Sequence, residues 1–386
     1  MILTYRYRLL PSKRQHMALA AILASQRILY NAALEERIDA YRKAAKSISY
    51  IDQTKSLTVC RHDLPEMGAL PVNLQRWTLK RLDDAFQAFF RRVKARNGSA
   101  GFPRFRGAGR WQSFGFREFS GIQFDGKRLH FAGLPGGLRV HLHRPLIGKI
   151  KSCVFSRDNG GWHVCFQVGV KTTEKRPIET AIGIDLGLNV FAYANDGVAI
   201  PNPHIARRAE KELRRRQRAL ARCKRDSNRR KKVRVKVTRL HRKIADTRNT
   251  WLHQRSAALI KRADLIVAED LRVANMVKNP HLARSISDAG WSKFLAMVAY
   301  KAEKAGGYFI TVDPRNTSQR CSGCGELVPK SLAVRIHICP HCGLVMDRDY
   351  NASLNIIAAV MRRGQLNVTC WGEHAARNIS LKEVSN

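Results

Sequence analysis

Four cysteines near the C-terminus, spaced Cys321-x2-Cys324-x14-Cys339-x2-Cys342, constrain this chain more than any other feature. Two Cys-x-x-Cys pairs in register are close to the spacing of a four-thiolate ribbon, in which each pair forms a knuckle and both close on one ion. Gly325 and Gly343 follow the second cysteine of each pair, and a residue without a Cβ lets the knuckle backbone turn tightly. Four soft thiolates favour Zn²⁺ and leave no open position for water, so the expected role is structural. His337 and His341 lie nearby, but a complete thiolate shell needs neither, and both are expected at the surface. Cys60, Cys153, Cys165, Cys223 and Cys370 lack ligand spacing and read as small buried apolar residues. Such cysteine usage fits a reducing, intracellular setting.

Charge is the next constraint. The chain of 386 residues has 70 Lys+Arg against 30 Asp+Glu, a net charge of +40. That much positive charge repels itself unless a polyanion screens it, so the expected partner is nucleic acid, with an anionic membrane surface the weaker alternative. The start MILTYRYRLL has arginines where a secretory signal needs an apolar core, and the apolar run Met17 to Ala24 is too short to span a bilayer. Residues 201–250 hold 20 Lys+Arg against 4 Asp+Glu, interrupted near Asp226-Ser227-Asn228. They predict two long basic helices in a hairpin, with Leu240, Ile244 and Leu252 as an apolar seam. Arg214, Arg215 and Arg216, and Arg229, Arg230, Lys231 and Lys232, are candidate phosphate contacts. For any single one of them, a solvated helix face explains the charge equally well.

The length and the 44% hydrophobic composition suffice for two or three structural units. Ile2 to Arg8 alternates in polarity and predicts a strand. From Pro11 to about Asn97 the pattern is helical, with Leu82, Phe86, Phe89 and Val93 on one face. NGSAGFPRFRG ends it, and Arg104 and Arg106, flanking Phe105, could contact nucleic acid or pack a loop on its neighbours. The next seventy or so residues carry hairpin signals at Asp125-Gly126 and Asn159-Gly160 and predict a small β-barrel or sandwich. If the first strand joins it, the helical segment is an insertion. From Ala181, AIGIDLGLNVFAYANDGVAI predicts a strand, an Asn-Asp-Gly hairpin and a returning strand. Further strands are expected at Leu265 to Ala268 and Tyr308 to Val312, and helices at Trp291 to Lys304 and Tyr350 to Arg362.

Three carboxylates stand apart: Asp185 inside an apolar strand, Glu269 at the end of another, and Asp349 at the start of a helix. A charge in a buried strand is costly unless paired. Three that converge would bind Mg²⁺, whose hard oxygen ligands suit phosphate chemistry. Singly, each has an ordinary explanation: a strand end, an arginine partner, a helix cap. Asp349 aligns with Ala352, Ile356 and Val360 on the apolar helix face, whereas Asp347 precedes the helix and reads as a carboxylate at its positive dipole end.

The series GIDLGLN, IVAEDL, SQRCSGCG, CPHCG and DRDYNASLNI resembles the TnpB family of transposon-encoded proteins, compact relatives of type V CRISPR effector nucleases. The resemblance covers Ala181 to Arg363; upstream, YRYRLLPSKRQ, RILYNAALEER and the helix leading to GFPRFRG match the family layout less specifically. It implies a multidomain α+β chain: a wedge-type β-barrel over 1–10 and 101–175, a helical recognition insert over 11–100, and a RuvC-like nuclease domain of the RNase H fold over 181–363. Within the last would lie a basic helical hairpin, 201–262, and a zinc ribbon, 315–346, inserted before the last catalytic acid, with a mobile tail over 364–386. Carried over by motif, Asp185, Glu269 and Asp349 match the three RuvC acids, and their joint presence separates this chain from nuclease-dead derivatives. The implied function is RNA-guided DNA cleavage with structural Zn²⁺ and catalytic Mg²⁺, in the cytoplasm or nucleoid of a prokaryote, without a membrane partner. The guide RNA would come from the transposon end, and the double-stranded target DNA would carry a short adjacent motif. Many dispersed Lys and Arg would then hold nucleic-acid backbones while base pairing reads sequence. A nuclease-inactive DNA-binding regulator, a DNA-joining transposase and a zinc-ribbon RNA-binding protein remain as alternatives.

Overall fold

A computed structural model describes residues 1–95, 100–158, 161–331 and 334–361. The chain divides into two compact units, Met1–Lys171 and Thr172–Asn386. The turn expected at Asn159-Gly160, the tail 364–386 and Cys370 lie outside the described residues.

The first unit begins with β1 (Ile2–Leu10), continues through α1 (Lys13–Ala44), α2 (Tyr50–Asp63), α3 (Pro65–Gly68) and α4 (Val72–Lys94), and closes with six strands. These are β2 (Ser113–Phe116), β3 (Ile122–Phe124), β4 (Arg128–Phe131), β5 (Leu138–His141), β6 (Lys149–Asp158) and β7 (Gly161–Gly169). Their order is β2-β6-β7-β1-β5-β4-β3, so β1 sits mid-sheet between strands more than a hundred residues away. Alternation sets its register: Tyr5, Tyr7 and Leu9 face a core of Phe114, Phe116, Phe155 and Phe166, while Arg6 and Arg8 face out. The expected turn at Asp125-Gly126 joins β3 to β4, with Asp125 Oδ1 accepting from the amides of Lys127 (2.8 Å) and Arg128 (2.6 Å).

The helices between β1 and β2 pack on the same core. By length and composition α1 could cross a membrane, but Leu19, Ile22, Leu23, Tyr30 and Leu34 are buried within this unit. On α4 the expected apolar face is only half right: Leu82 and Phe86 are buried, Phe89 is half-buried and Val93 is 50% exposed, because the last turns run past the core. Periodicity also hid Asp83, which is buried beside Leu82 and pairs with Arg37 at 3.3 Å, whose Nε donates to Gln53 Oε1 at 2.8 Å. Cys60, expected inside, is exposed on α2, while Cys153 and Cys223 are buried and Cys165 is half-buried. On α2 only Gln53 and Leu57 are buried, and Cys60 lies beyond both, nearer the helix end.

The second unit opens with β8 (Ala181–Asp185), β9 (Val190–Ala194) and β10 (Ala199–Pro201). Two strands thus precede the Asn-Asp-Gly turn where one was expected. The break at Leu186–Asn189 falls on Gly187, whose amide donates to Phe191 O and where a Cβ would meet Val190 O at 2.7 Å. Asp185 is therefore the last residue of a strand, not an interior one. After the short α5 (Ile205–Arg208), α6 (Glu210–Ala221) and α7 (Asn228–Ile260) form the basic hairpin, unequal in length, with Val237, Leu240, Ile244 and Leu252 buried along α7. Next come β11 (Leu265–Glu269), α8 (Val273–Met276), α9 (Ala283–Ala289), α10 (Trp291–Lys304) and β12 (Tyr308–Val312). The small hairpin β13 (Ile336–Ile338) and β14 (Val345–Asp347) leads into α11 (Arg348–Met361).

The sheet order is β10-β9-β8-β11-β12, with an antiparallel meander on one side and β8, β11 and β12 parallel. This is the 3-2-1-4-5 arrangement of an RNase H-type fold. Both faces are covered: Phe191, Ile266, Leu252, Phe294 and Val298 form one core, and Leu265, Val267, Ile356, Ile357 and Val360 the other. Hence β11 is apolar without alternation. Gly183 in β8 is the point of closest approach of α11: a Cβ there would lie 2.7 Å from Ser353 O and 3.1 Å from Ile357. Gly183→Ala should destabilise this unit by about 1–3 kcal/mol, read as a lower thermal unfolding midpoint; an unchanged midpoint would mean that α11 does not pack so closely.

Candidate active site and metal centre

Asp185 ends β8 and Glu269 ends its parallel neighbour β11, so both carboxylates stand at the C-terminal edge of the sheet, where open α/β sheets bind ligands. Asp349, in the first turn of α11, is brought to the same edge by the packing of that helix on β8. The three are 8%, 7% and 8% exposed. Gly187 belongs to the arrangement, since a Cβ there would sit 3.6 Å from Asp349 Oδ2.

Burial pushes the Asp185 carboxyl well above the usual carboxylate range; Glu269 and then Asp349 add to this, while Arg348 and the Leu186 amide oppose it. Glu269 is raised by burial, with the Thr317 hydroxyl opposing and Asp349 adding. Thr317 donates its hydroxyl hydrogen to Glu269 Oε1. On α11, Asp347 Oδ1 accepts from the amides of Asp349 (2.8 Å) and Tyr350 (3.1 Å), the geometry of a helix cap, which leaves Asp349 to face the other acids. Arg348 donates from Nε (3.2 Å) and Nη2 (3.1 Å) to Asp349 Oδ1, and Arg335 Nη1 lies 3.9 Å from Oδ2.

The four cysteines form the tighter cluster. Among the described residues theirs, and not the three acids', are the ligand atoms that all lie within 4.8 Å of one another. Cys321 Sγ is 3.6 Å from Cys342 Sγ, and Cys324 Sγ is 3.5 Å from Cys339 Sγ, close to the edge of about 3.8 Å that a tetrahedron with Zn–S bonds of about 2.3 Å requires. Gly325 and Gly343 have φ of 82° and 72°, so the tight turn expected after each second cysteine is present. Burial pushes the Cys321 thiol up to about 12. Burial also acts on Cys339, but the amides of Cys342 and His341 and the neighbouring thiols outweigh it and hold that thiol at about 6. Donor set and spacing fit zinc. Val345 begins the second strand of the ribbon hairpin and is exposed, so the ribbon extends to the start of α11. His341 is exposed as expected, but His337 is fully buried, with Nδ1 against Lys330 Nζ, because its side chain points into the small ribbon core.

Sequence reasoning did not find what joins the ribbon to the acids. Asn351 Oδ1 accepts from the Ser322 amide (2.9 Å) and its Nδ2 donates to Arg320 O (2.8 Å). Asn355 Nδ2 donates to Thr317 O (2.9 Å) and Arg320 O (2.6 Å). Two buried asparagines four apart inside a helix are the missed signal, because asparagine is a poor helix-interior residue unless a tertiary partner uses its amide. Thr317 carried no pattern at all.

The basic candidates divide. Arg230 Nη1 donates to Leu220 O (3.0 Å) and Cys223 O (3.1 Å) and closes the α6–α7 turn. Arg214 pairs with Glu210, and Arg216 with Glu212. Arg215, Arg229, Lys231 and Lys232 are exposed. Arg106 is bound through its main chain to Asn31 and lies over the Tyr30 ring, whereas Arg104 is exposed.

A protein of Streptomyces pristinaespiralis described as "Putative RNA-guided DNA endonuclease" is 32% identical to this chain over 92% of the chain and 88% of the relative. The chain belongs to the TnpB family. InsQ of Escherichia coli (strain K12), given the same description, is 28% identical over 92% of this TnpB-family chain and 91% of its own length. Three family models match: "Cas12f1-like, TNB domain" over 291–356, "Probable transposase" over 163–280 and "Helix-turn-helix domain" over 1–46. Residues 1–46 fold here as β1 and the single helix α1. A Cas12f1 from a cryo-EM complex with sgRNA and target DNA superposes with TM-score 0.58 at 14% identity, covering 89% of this chain and 83% of that one, and supports the RuvC-type fold.

Two outcomes follow from the geometry. Cys339→Ser should lower bound zinc from about one equivalent and reduce thermal stability, because structural zinc binding is coupled to folding; full zinc content by metal analysis would refute the four-thiolate assignment. In metal-free protein, stability should fall as pH rises from the ordinary carboxylate pKa, about 4, through the raised values of Asp185 and Glu269, since the unfolded chain loses those protons first. Asp185→Asn should remove part of that loss, so its stabilising effect should grow above about pH 4 and vanish below it in pH-dependent unfolding.

Proposed function

We propose that this chain is an RNA-guided DNA endonuclease in which Asp185, Glu269 and Asp349 hold Mg²⁺. The observation that carries the proposal is the burial of these three carboxylates together at one sheet edge, where each charge raises the cost of the next, in a chain of net charge +40. Such a cluster suits a divalent cation, and the charge suits a polyanionic substrate. The descriptions of the relatives support the same reading.

Bound there, the ion would supply Lewis acidity for activating water and stabilising the leaving oxygen of a phosphodiester. The residues of the chain do the rest. Thr317 fixes the rotamer of Glu269. Asp347 caps α11 and so fixes the direction of Asp349. The zinc ribbon, held to α11 by Asn351 and Asn355, keeps Thr317 in place. Arg215, Arg229, Lys231 and Lys232 offer exposed charge to nucleic-acid backbones, with sequence read by pairing to a guide RNA from the transposon end and by a short motif beside the target.

Plasmid DNA carrying a guide-matched target, incubated with the protein, its guide RNA and Mg²⁺, should be cut. Asp185→Ala and Asp349→Ala should each lose on the order of 10²-fold or more in rate, and Asp347→Ala less than Asp349→Ala. RNA-dependent binding without cutting would instead indicate a regulator, and strand joining without RNA a transposase.

A further inference from the structure

One cation already stands at the acid cluster. The Arg348 side chain is only 12% exposed, and both Nε and Nη2 address the same oxygen, Asp349 Oδ1, at 3.2 and 3.1 Å. Its Nη1 donates to Val334 O at 3.3 Å, and its own amide donates to Arg335 O at 2.7 Å, both in the ribbon segment directly before β13. Arg335, by contrast, is half-exposed and reaches only 3.9 Å from Asp349 Oδ2. An arginine that served only to anchor the ribbon would need the two carbonyl-side contacts and not a carboxylate. One that served only to balance charge would need no tie to the ribbon. Arg348 has both, and that combination holds a guanidinium at the rim of the cluster with one edge on Asp349 and the other on main chain.

Three buried carboxylates without a counter-charge are unfavourable, and a guanidinium and a divalent ion answer that need at the same oxygens. Both draw on the one Asp349 carboxylate, so the hold of one cation weakens that of the other. We propose that Arg348 is a resident counter-ion of the acid cluster: it holds Asp349 when no divalent ion is bound and releases Oδ1 when one enters, so that metal binding is the exchange of one cation for another. The inference rests on the reading that Asp185, Glu269 and Asp349 form the divalent site. Val334 O gives the displaced guanidinium a fixed support, so the exchange needs a side-chain rotation and not a movement of α11. Occupation by arginine in the metal-free state also keeps Asp349 pointed at the site.

The test is Mn²⁺ binding to the full-length, zinc-loaded protein, followed by electron paramagnetic resonance and calorimetry, with thermal unfolding measured with and without Mn²⁺. Arg348→Gln keeps a long polar side chain and removes the charge. It should bind Mn²⁺ on the order of tenfold more tightly, the scale on which a neighbouring opposite charge shifts a carboxylate equilibrium. Its metal-free midpoint should fall while the rise on adding Mn²⁺ grows. Arg348→Lys, which keeps the charge but loses the two-pronged grip, should show a smaller tightening and covers the case in which the Gln variant fails to fold. Equal or weaker Mn²⁺ binding in either variant, with a midpoint lowered alike with and without metal, overturns the proposal and leaves Arg348 a structural residue. If wild-type protein shows no Mn²⁺ site that Asp185→Asn abolishes, the divalent-ion reading itself falls, and the exchange falls with it.

Discussion

Mutual repulsion among three buried carboxylates is the constraint around which the second unit is arranged. Asp185 and Glu269 lie on adjacent parallel strands whose ends leave them little exposure to water, and both are raised by burial as well as by their neighbours. A fold does not bring such groups together unless a cation returns the cost. The local features answer to that cost: the Leu186 amide and Arg348 oppose ionisation penalties at Asp185, and the Thr317 hydroxyl does so at Glu269. Gly183 and Gly187 serve the same end by removing the Cβ atoms that would keep α11 and the β8–β9 turn apart from the cluster.

The zinc ribbon is part of this arrangement and not an ornament on it. Its first knuckle is pinned to α11 by the side-chain amides of Asn351 and Asn355, and the segment entering it places Thr317 on Glu269. Its second knuckle continues through β14 into the cap of α11. Four thiolates closing on one ion would therefore set two of the three acids from opposite ends of one insertion, which makes local order around the acids depend on metal bound elsewhere.

What could be read from the chain, and what could not, follows the range of each interaction. The cysteine spacing, the Asp-Gly turn, the apolar strand Leu265 to Ala268 and the helical alignment of Asp349 with Ala352, Ile356 and Val360 are local patterns, and the structure realises each of them. Relations between distant segments were not legible. The break after Asp185 depends on the turn to β9, and the burial of Asp83 on Arg37 from another helix. His337, Cys60 and Val93 were misplaced because side-chain burial depends on whether the neighbouring element extends far enough to cover it.

By itself, then, the sequence determined most of the long elements, the four-cysteine cluster and Asp185 as a charge costly to bury in an apolar strand, since hydrophobic period, turn chemistry and ligand spacing are encoded within a few residues of one another. Only the tertiary structure decided that Asp185 and Glu269 share one sheet edge, that Asn351 and Asn355 tie the ribbon to the helix of Asp349, and that Arg348 stands against that acid. Those pairings depend on parallel strand order and on a helix packed over a glycine, and no short stretch of chain specifies either.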